Sequence, residues 1–151
     1  MFEKILYPTD FSDVSKKALG YVKSLKAAGT RQIIVLRVID EIKLETISRT
    51  MTNPGFEGDD FLKNSVQRYE KEAYEEMKDI ETQLVDAGFD VKIMVDKGSP
   101  HSRILQIAEE EDVSAIILGS HGRSNLGVVF LGSVSDHVIR NSKRPVIVIK
   151  R

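Results

Sequence analysis

The chain has 151 residues, with 22 Lys and Arg against 23 Asp and Glu and no cysteine. This length suits one domain spanning residues 1–151, and the balanced charge gives no attractive surface for nucleic acid or an anionic membrane. The lack of cysteine excludes disulfides, thiolate metal sites and cysteine nucleophiles, and the lack of a signal sequence or a long apolar run leads us to expect a cytoplasmic protein.

Five short apolar runs rich in Ile and Val predict five strands. In chain order they are residues 5–7, 33–38, 91–95, 115–118 and 146–149. Apolar residues follow one another in these runs without alternation, which is typical of strands covered on both faces. We therefore expect a sheet that lies between two layers of helices.

Helical signals fill the intervals between most of these strands. The first helix is expected to begin at Ser12 or Asp13 as its N-cap and to end before Gly29. Apolar residues at steps of three and four predict a second helix over residues 62–84. Residues 40–60 contain several turn-forming residues and follow no period, so we expect an irregular, mobile excursion there.

Two more helices complete the pattern. One is expected from Pro100 to about Glu111, and the last should begin at Ser133, after Gly132, and stop before Pro145. Strands and helices then alternate along the chain, which favours parallel strands joined by right-handed crossovers. The predicted fold is an α/β, doubly wound three-layer sandwich, with a five-stranded parallel sheet of order 3-2-1-4-5 and helices on both faces.

A glycine-rich segment follows the fourth strand, at the end of the sheet where open parallel sheets bind ligands. It contains Gly119, Gly122 and Gly132, and glycine lets a backbone approach a ligand closely. A helix that begins at Ser133 would direct unpaired N–H groups and the positive end of its dipole at an anion, and Ser135 would add a hydroxyl donor. Each residue alone is explained as well by a turn or an N-cap, but together they favour a phosphate site.

Charged and titratable residues add candidate contacts. His121 and Arg123 would offset phosphate charge, Arg123 through a bidentate contact, or would lie on a solvated loop tip. Asp10, after the first strand, is suited to accept from ribose hydroxyls or to contact Mg²⁺ through water, and an Asx turn explains it equally well. His101 and His137 lack metal-ligand spacing, so we assign them no role.

Two common phosphate loops are absent, since the chain contains no Gly-x-x-x-x-Gly-Lys-Ser/Thr and its first strand is not followed by Gly-x-Gly-x-x-Gly. The spacing Gly119-x2-Gly122-x9-Gly132-Ser133 instead resembles the ATP-binding signature of the universal stress protein family. The similarity extends along the whole chain and is clearest in residues 5–12, 35–38, 98–100 and 145–149.

This resemblance implies an ATP pocket at the carboxyl ends of the strands. Pro8, Thr9 and Asp10 would lie near ribose and adenine, and Val38 would contact the base through its backbone. The residues that would hold the phosphates are Gly119, Gly122, Gly132, Ser133, Val134 and Ser135. We add Leu118, His121 and Arg123 as further candidate pocket residues. Mg²⁺ or Mn²⁺ would accompany the triphosphate, with Asp10 as a water-mediated ligand. AMP or ADP is the alternative to ATP as the nucleotide.

The last predicted strand, Val146–Ile149, is expected at an edge of the sheet. Only Lys150 and Arg151 follow it to discourage association with another chain. We therefore predict a homodimer formed by antiparallel pairing of these strands, which the family resemblance also implies.

The resemblance further implies an ATP-binding universal stress protein that acts as a nucleotide-dependent regulatory module in the stress response and is recognised by a protein partner. No Lys lies in the glycine-rich segment, so at most slow ATP hydrolysis is expected. Two alternatives stay open: an enzyme of related α/β architecture that hydrolyses or transfers nucleotides or binds flavin, and a dimeric scaffold without nucleotide.

Overall fold

The centre of the fold is a parallel sheet. The computed structural model describes residues 2–51, 58–121 and 131–150, with the backbone alone for 47–51 and 58–62. Within these ranges the strands are β1 Lys4–Pro8, β2 Gln32–Ile39, β3 Asp90–Lys97, β4 Ala115–Gly119 and β5 Val146–Ile149. They lie in the order β3-β2-β1-β4-β5, and each pairing is parallel. The predicted fold class and strand order are confirmed.

Helices connect the strands on both faces of the sheet. In the described part of the chain they are α1 Asp13–Ser24, α2 Glu41–Met51, α3 Gly58–Asp86, α4 Pro100–Glu110 and α5 Ser133–Asn141. Ser12 is the N-cap of α1, and a short 3-10 turn carries the chain on to Gly29, which adopts a left-handed φ of 91°. The predicted start and end of the first helical region are therefore confirmed, as are the starts of α4 and α5.

The sheet separates two apolar cores. One core packs α1 and α3 against the face that carries Ile5 and Tyr7, and the other packs α4 and α5 against the face that carries Leu6. Strands β1, β2 and β4 are buried along almost their whole length, whereas β3 and β5 are largely half-buried. Coverage on both faces is thus confirmed for the central strands and is weaker at the two edges.

The prediction of an irregular excursion over residues 40–60 is wrong for most of that stretch. Residues Glu41–Met51 form α2, and α3 begins at Gly58. Residues 52–57 lie outside the described part of the chain. The chain therefore has one more helix between β2 and β3 than the predicted alternation of strands and helices contains.

Asp40 explains why α2 forms. Its carboxylate accepts a hydrogen bond from the N–H of Lys43 at 3.1 Å, and its C=O accepts from the N–H of Leu44 at 3.0 Å. Asp is a strong N-cap, and the residues after it have ordinary to good helix propensity. The sequence interpretation rested on the turn-forming residues further along the stretch and did not consider Asp40 as a cap.

Tyr7 ties β1 to α1. Its hydroxyl donates to the C=O of Ser15 at 2.7 Å, and its side chain is fully buried. Burial raises the pKa of the Tyr7 phenol from its ordinary value of 10.0 to about 12, because the phenolate would lose its hydration. The neutral hydroxyl therefore contributes stability that is complete below pH 10.0 and is lost as the pH rises through about 12.

Tyr7→Phe removes this hydrogen bond and keeps the ring. We expect it to lower the free energy of unfolding at neutral pH by about 1 kcal/mol, as measured by urea denaturation. It should also flatten the loss of stability between pH 10.0 and about 12. Tyr21→Phe, at an exposed ring, is the matched control and should change neither quantity. Identical alkaline profiles for the native chain and Tyr7→Phe would contradict this account.

Candidate functional site

A cleft of about 560 Å³ opens at the carboxyl ends of β1, β2 and β4. Its position follows from the topology, because α1 leaves β1 on one face of the sheet while α5, which follows the neighbouring β4, packs on the other. Helices α2, α3 and α4 supply further walls. The volume lies within the usual range for small-molecule sites.

Most of the predicted pocket residues meet in this cleft. Those that line it are Pro8, Thr9, Asp10, Val38, Leu118, Gly119, His121, Gly132, Ser133, Val134 and Ser135. Gly122 and Arg123 lie outside the described residues. The sequence interpretation missed the walls made by Lys43 and Leu44 of α2 and by Glu72 and Glu76 of α3. The helical spacing of α3 could have indicated the two glutamates, because both lie beside the apolar stripe that was predicted to face the sheet.

Side chains of the turn after β1 hold that turn in place. Thr9 Oγ1 accepts from the N–H of Phe11 at 3.1 Å and lies 3.1 Å from Ser15 Oγ, and Asp10 Oδ1 accepts from the N–H of Ser12 at 3.1 Å. Phe11 has a φ of 60°, a left-handed conformation that is uncommon for a bulky side chain and needs support from its surroundings. The Asx turn that was one alternative for Asp10 is therefore present.

Strand β2 continues past the end of β1. The β1–β2 register ends with Pro8 opposite Leu36, and the N–H of Thr9 donates to the C=O of Leu36 at 2.8 Å. Backbone groups of successive residues in a strand face opposite sides. The N–H and C=O of Val38 consequently face the same side as those of Leu36, where β1 has already ended. Val38 thus presents one donor and one acceptor to the cleft.

The N-terminus of α5 opens into the same cleft. Its N-cap is Gly132, which has no side chain to accept from the first N–H groups. The first helical hydrogen bond runs from the N–H of Asp136 to the C=O of Gly132 at 2.9 Å. The N–H groups of Ser133, Val134 and Ser135 therefore precede the helical ladder. Such a group of donors is suited to an anion.

Ser120, which the sequence analysis did not single out, fixes α5 to the end of β4. Its C=O accepts from the N–H of Gly132 at 2.8 Å and from the hydroxyl of Ser135 at 2.7 Å. Its own N–H donates to the C=O of Ile149 at 2.8 Å. The Ser135 hydroxyl is therefore engaged with the backbone of the site. Ser120 could have been recognised from the sequence as a small polar residue directly after a buried strand.

His121 has one ring nitrogen with a partner and one without. Nδ1 lies 2.8 Å from Ser120 Oγ. Nε2 is buried and has no hydrogen-bond partner within the described part of the chain. A buried polar atom without a partner costs a folded protein about 1–3 kcal/mol, so its presence calls for a physical explanation.

Gly119 is required by packing within the protein. A Cβ at this position would lie 2.9 Å from Val14 Cγ1 and 3.2 Å from the backbone N of Ser15, because the start of α1 crosses the end of β4. A Cβ at Gly132 would lie 3.4 Å from His121 Cα, which is tight but tolerable, at a φ of −65° that any residue adopts. The two signature glycines thus meet different constraints.

Gly119→Ala should force α1 away from the sheet. We expect it to lower the free energy of unfolding by about 1–3 kcal/mol, as overpacking does in other cores. Gly20→Ala is the matched control, because Gly20 lies within α1 and a Cβ there meets nothing within 4 Å. That control should stabilise the chain by about 0.5–1 kcal/mol through helix propensity. Urea denaturation of both variants measures the contrast, and equal stabilities would refute the close-contact explanation.

Charged side chains of both signs line the cleft. They are Asp10, Arg37, Asp40, Lys43, Glu72 and Glu76. The guanidinium of Arg37 lies over the ring of Phe11, 5.4 Å from its centroid, so this cation belongs to the β2 end of the cleft. Among the described residues that line the α5 end there is no Lys or Arg. At that end an anion would be attracted by the backbone N–H groups and the dipole of α5.

Residues 2–51, 58–121 and 131–150 contain neither a metal-binding cluster nor a membrane-spanning helix. No group of three or more His, Asp or Glu side chains is arranged there to hold a metal ion. No helix in those ranges has the length and apolar character needed to cross a membrane. His101 and His137, to which no role was assigned, contact each other with ring centroids 4.1 Å apart.

Comparison with known proteins identifies the class to which this fold and cleft belong. The model of the universal stress protein family matches residues 1–150, so the chain belongs to that family. It is 42% identical to universal stress protein MJ0577 of Methanocaldococcus jannaschii over 159 residues, covering 100% of this chain and 96% of that protein. It is 30% identical to universal stress protein YxiE of Bacillus subtilis over 150 residues, covering 99% and 100%.

Solved structures agree with the family assignment. The structure of MJ0577 superposes with a TM-score of 0.88 at 40% identity, covering 100% of this chain and 97% of that one. A universal stress protein solved in complex with cAMP has a TM-score of 0.66 at 20% identity, covering 97% and 95%. At that lower identity the likeness establishes a shared fold.

Proposed function

We propose that this chain binds an adenine nucleotide, with ATP as its main ligand, and acts as a nucleotide-dependent regulatory protein in the stress response. The observation that carries the proposal is the N-terminus of α5, where a glycine N-cap leaves three backbone N–H groups available at the wall of a cleft. Phosphate is the anion that such helix termini bind most often in nucleotide sites. A fold relative that holds cAMP is consistent with a nucleotide ligand.

The nucleoside end of the ligand would lie over the end of β1. Val38 offers a backbone donor and acceptor there, which complements an adenine edge that presents one acceptor and one amino group. Pro8 and Leu118 would cover the apolar faces of the base, and Asp10 would accept from ribose hydroxyls. The phosphates would then extend towards Ser133 and Val134.

A divalent ion would be held mainly by the phosphates of the ligand. The described residues contain no group of three metal ligands, whereas Mg²⁺ usually keeps several waters and binds through one or two carboxylates plus phosphates. Asp10 is the carboxylate beside the turn after β1 and would contact Mg²⁺ or Mn²⁺ through water. The ion would neutralise phosphate charge. The described lining residues near α5 include no Lys or Arg that would do so.

Regulation by occupancy fits the cleft better than rapid turnover. Phosphoryl transfer needs charges that stabilise the departing phosphate and a group that orients water. The described residues at the α5 end supply backbone donors and one histidine but no lysine or arginine. ATP binding would instead favour one conformation of the cleft, and a protein partner would recognise that conformation by its differential affinity.

Ser133→Asp separates binding from folding. An acidic residue in the first turn of a helix is favourable to the helix, so the variant should unfold at the same or a higher urea concentration than the native chain. The same carboxylate repels phosphate, and we expect calorimetric titration with ATP and Mg²⁺ to give an affinity at least about tenfold lower. Ser102→Asp adds the same charge to the first turn of α4, outside the cleft, and should bind ATP like the native chain.

Each result of this titration has a distinct meaning. Saturable ATP binding by the native chain, weakened by Ser133→Asp alone, supports a phosphate site at α5. Failure of the native chain to bind any adenine nucleotide would refute the proposal and favour the nucleotide-free scaffold. Binding that is equally strong in both aspartate variants would move the phosphates away from α5.

We also propose a homodimer through the outer edge of β5. The C=O groups of Pro145 and Ile149 accept hydrogen bonds from Ile116 of β4 and from Ser120, directly after β4. The alternation of a strand therefore turns the N–H and C=O of Val148 away from β4. Within the described residues this outer edge has no strand beside it. An unpaired edge is a ready site for pairing with a second copy of the chain.

Val148→Pro should separate the protomers without opening the sheet. Proline removes an outward N–H that β4 does not use, so we expect a monomer that stays folded, by light scattering and circular dichroism. Ile147→Pro is the contrasting control, because its N–H faces β4 and its loss should destabilise the fold itself. A native chain that is monomeric at tens of micromolar concentration would contradict the dimer.

A further inference from the structure

Two helix segments beside the cleft have no buried side chain. They are residues 41–46 of α2 and 63–72 of α3, and together we call them the hood. Helix α2 packs on α3, and within the described part of the chain no other element packs against it to a similar extent. Ile42 of α2 is 68% exposed. Few buried contacts therefore hold the hood, which is typical of elements that open locally.

The apolar stripe of α3 continues past the point where the core ends. Its buried part begins at Ala73 and reaches Leu84, in the last turn of the helix. Val66 and Tyr69 extend the same stripe towards the start of α3, at steps of three and four residues. Neither of these two side chains is buried. The stripe thus presents apolar surface that the fold leaves uncovered.

The hood lies at the carboxyl ends of the strands, where the cleft opens. Helix α3 has 29 residues and is about 43 Å long, whereas the 8 residues of β3 span about 26 Å. Since the buried part of α3 reaches its last turn, the excess length lies at its start, which follows the carboxyl end of β2. Lys43, Leu44 and Tyr69 line the cleft from this side.

An ion pair connects the hood to the end of β3. Nζ of Lys97 lies 2.8 Å from Oε1 of Glu70 in α3, and both side chains are partly exposed. The hydrogen bond to Glu70 raises the pKa of Lys97, and the charge of Glu41 at the start of α2 adds to this effect. Exposed ion pairs contribute little to stability. This contact therefore orients both segments of the hood without fixing them.

The base of a nucleotide is suited to cover the uncovered stripe. In the proposed site Val38 binds the edge of the base, and Pro8 and Leu118 approach it from the ends of β1 and β4. The face of the base that is turned away from the sheet then lacks a cover. Tyr69 offers an aromatic ring on that side. Stacking of a base on an aromatic ring stabilises both surfaces.

We propose that the hood is a lid that closes over the base of the bound nucleotide, with Tyr69 as the side chain that covers the base. This inference rests on the proposed nucleotide site. The hood moves about two junctions, Asp40 at the start of α2 and Ala73, where the buried part of α3 begins. Asp40 is only two residues from Val38, so a ligand bound at Val38 lies beside one of these hinges.

Two tyrosines of α3 provide a matched test of the covering residue. Tyr69 is 39% exposed and lines the cleft, whereas Tyr74 is 48% exposed and is not among the residues that line it. By calorimetric titration we expect Tyr69→Ala to bind both ATP and adenosine about tenfold more weakly than the native chain. Tyr69→Phe, which keeps the ring, should stay within about twofold. Tyr74→Ala should bind like the native chain, and circular dichroism should show a native fold for all three variants.

Hydrogen exchange measures closure of the hood directly. Without nucleotide, the amides of residues 63–72 should exchange faster than those of residues 77–84, because the first group lacks buried contacts. ATP at about 100 times its Kd should slow exchange throughout the hood at least about tenfold, since binding favours the closed form. Tripolyphosphate has no base to cover, so it should leave exchange in the hood unchanged.

The outcomes distinguish the lid from the proposed function. Native ATP binding without any slowing of exchange in the hood would overturn the lid and leave the nucleotide site standing. Tyr69→Ala that binds ATP within about twofold of native would overturn the covering role of Tyr69, and so would equal weakening in Tyr69→Ala and Tyr69→Phe. A native chain that binds no adenine nucleotide would refute the proposed function, and the lid with it.

Discussion

Two hydrogen bonds to the carbonyl of Ser120 determine where α5 begins. The N–H of Gly132 and the hydroxyl of Ser135 both donate to this oxygen, and the N–H of Ser120 is itself paired with β5. Ser120 directly follows a central strand that is buried on both faces. The donors at the start of α5 are therefore positioned by the core of the sheet, and fixed donors need little rearrangement when an anion arrives.

The unequal lengths of two neighbouring strands provide the other half of the cleft. β2 runs on after β1 has ended, so the backbone groups of Val38 lose the partner that Leu36 has. β2 and β4 flank β1 on opposite sides, which separates the two polar surfaces by two strand spacings, about 10 Å. Pro8, the last residue of β1, lies between them. The cleft thus has a polar group at each end at a separation that the sheet sets.

Most of the fold could be predicted from the sequence, because the signals for strands and for helix ends are local. Apolar runs located the strands, and caps such as Ser12 and Gly29 located the ends of the first helical region. Helix α2 was missed because its local signal, the N-cap at Asp40, was overlooked beside several turn-forming residues that follow it. Tertiary packing determines which helices cover each face of the sheet, and no local pattern encodes it. The helix residues that reach the cleft depend on this packing.

The sequence predicted which residues belong to the candidate site, but it did not predict how their backbone groups and side chains are arranged. The glycine spacing and the family resemblance predicted which residues line the cleft. That the backbone groups of Val38 face the cleft depends on where β1 ends relative to β2. The importance of Ser120 depends on a hydrogen bond from a residue 15 positions away. Both facts are consequences of register, and register is a property of the folded sheet.

Gly119 alters what a sequence motif can tell about a protein of this fold. The start of α1 excludes a side chain at this position whether or not anything occupies the cleft. Descendants that have lost a ligand would therefore keep this glycine for as long as they keep the crossing of α1 over β4. Gly132 is under a weaker steric constraint, so it is the position whose replacement would report a change of ligand. The information in the motif is concentrated at its far end.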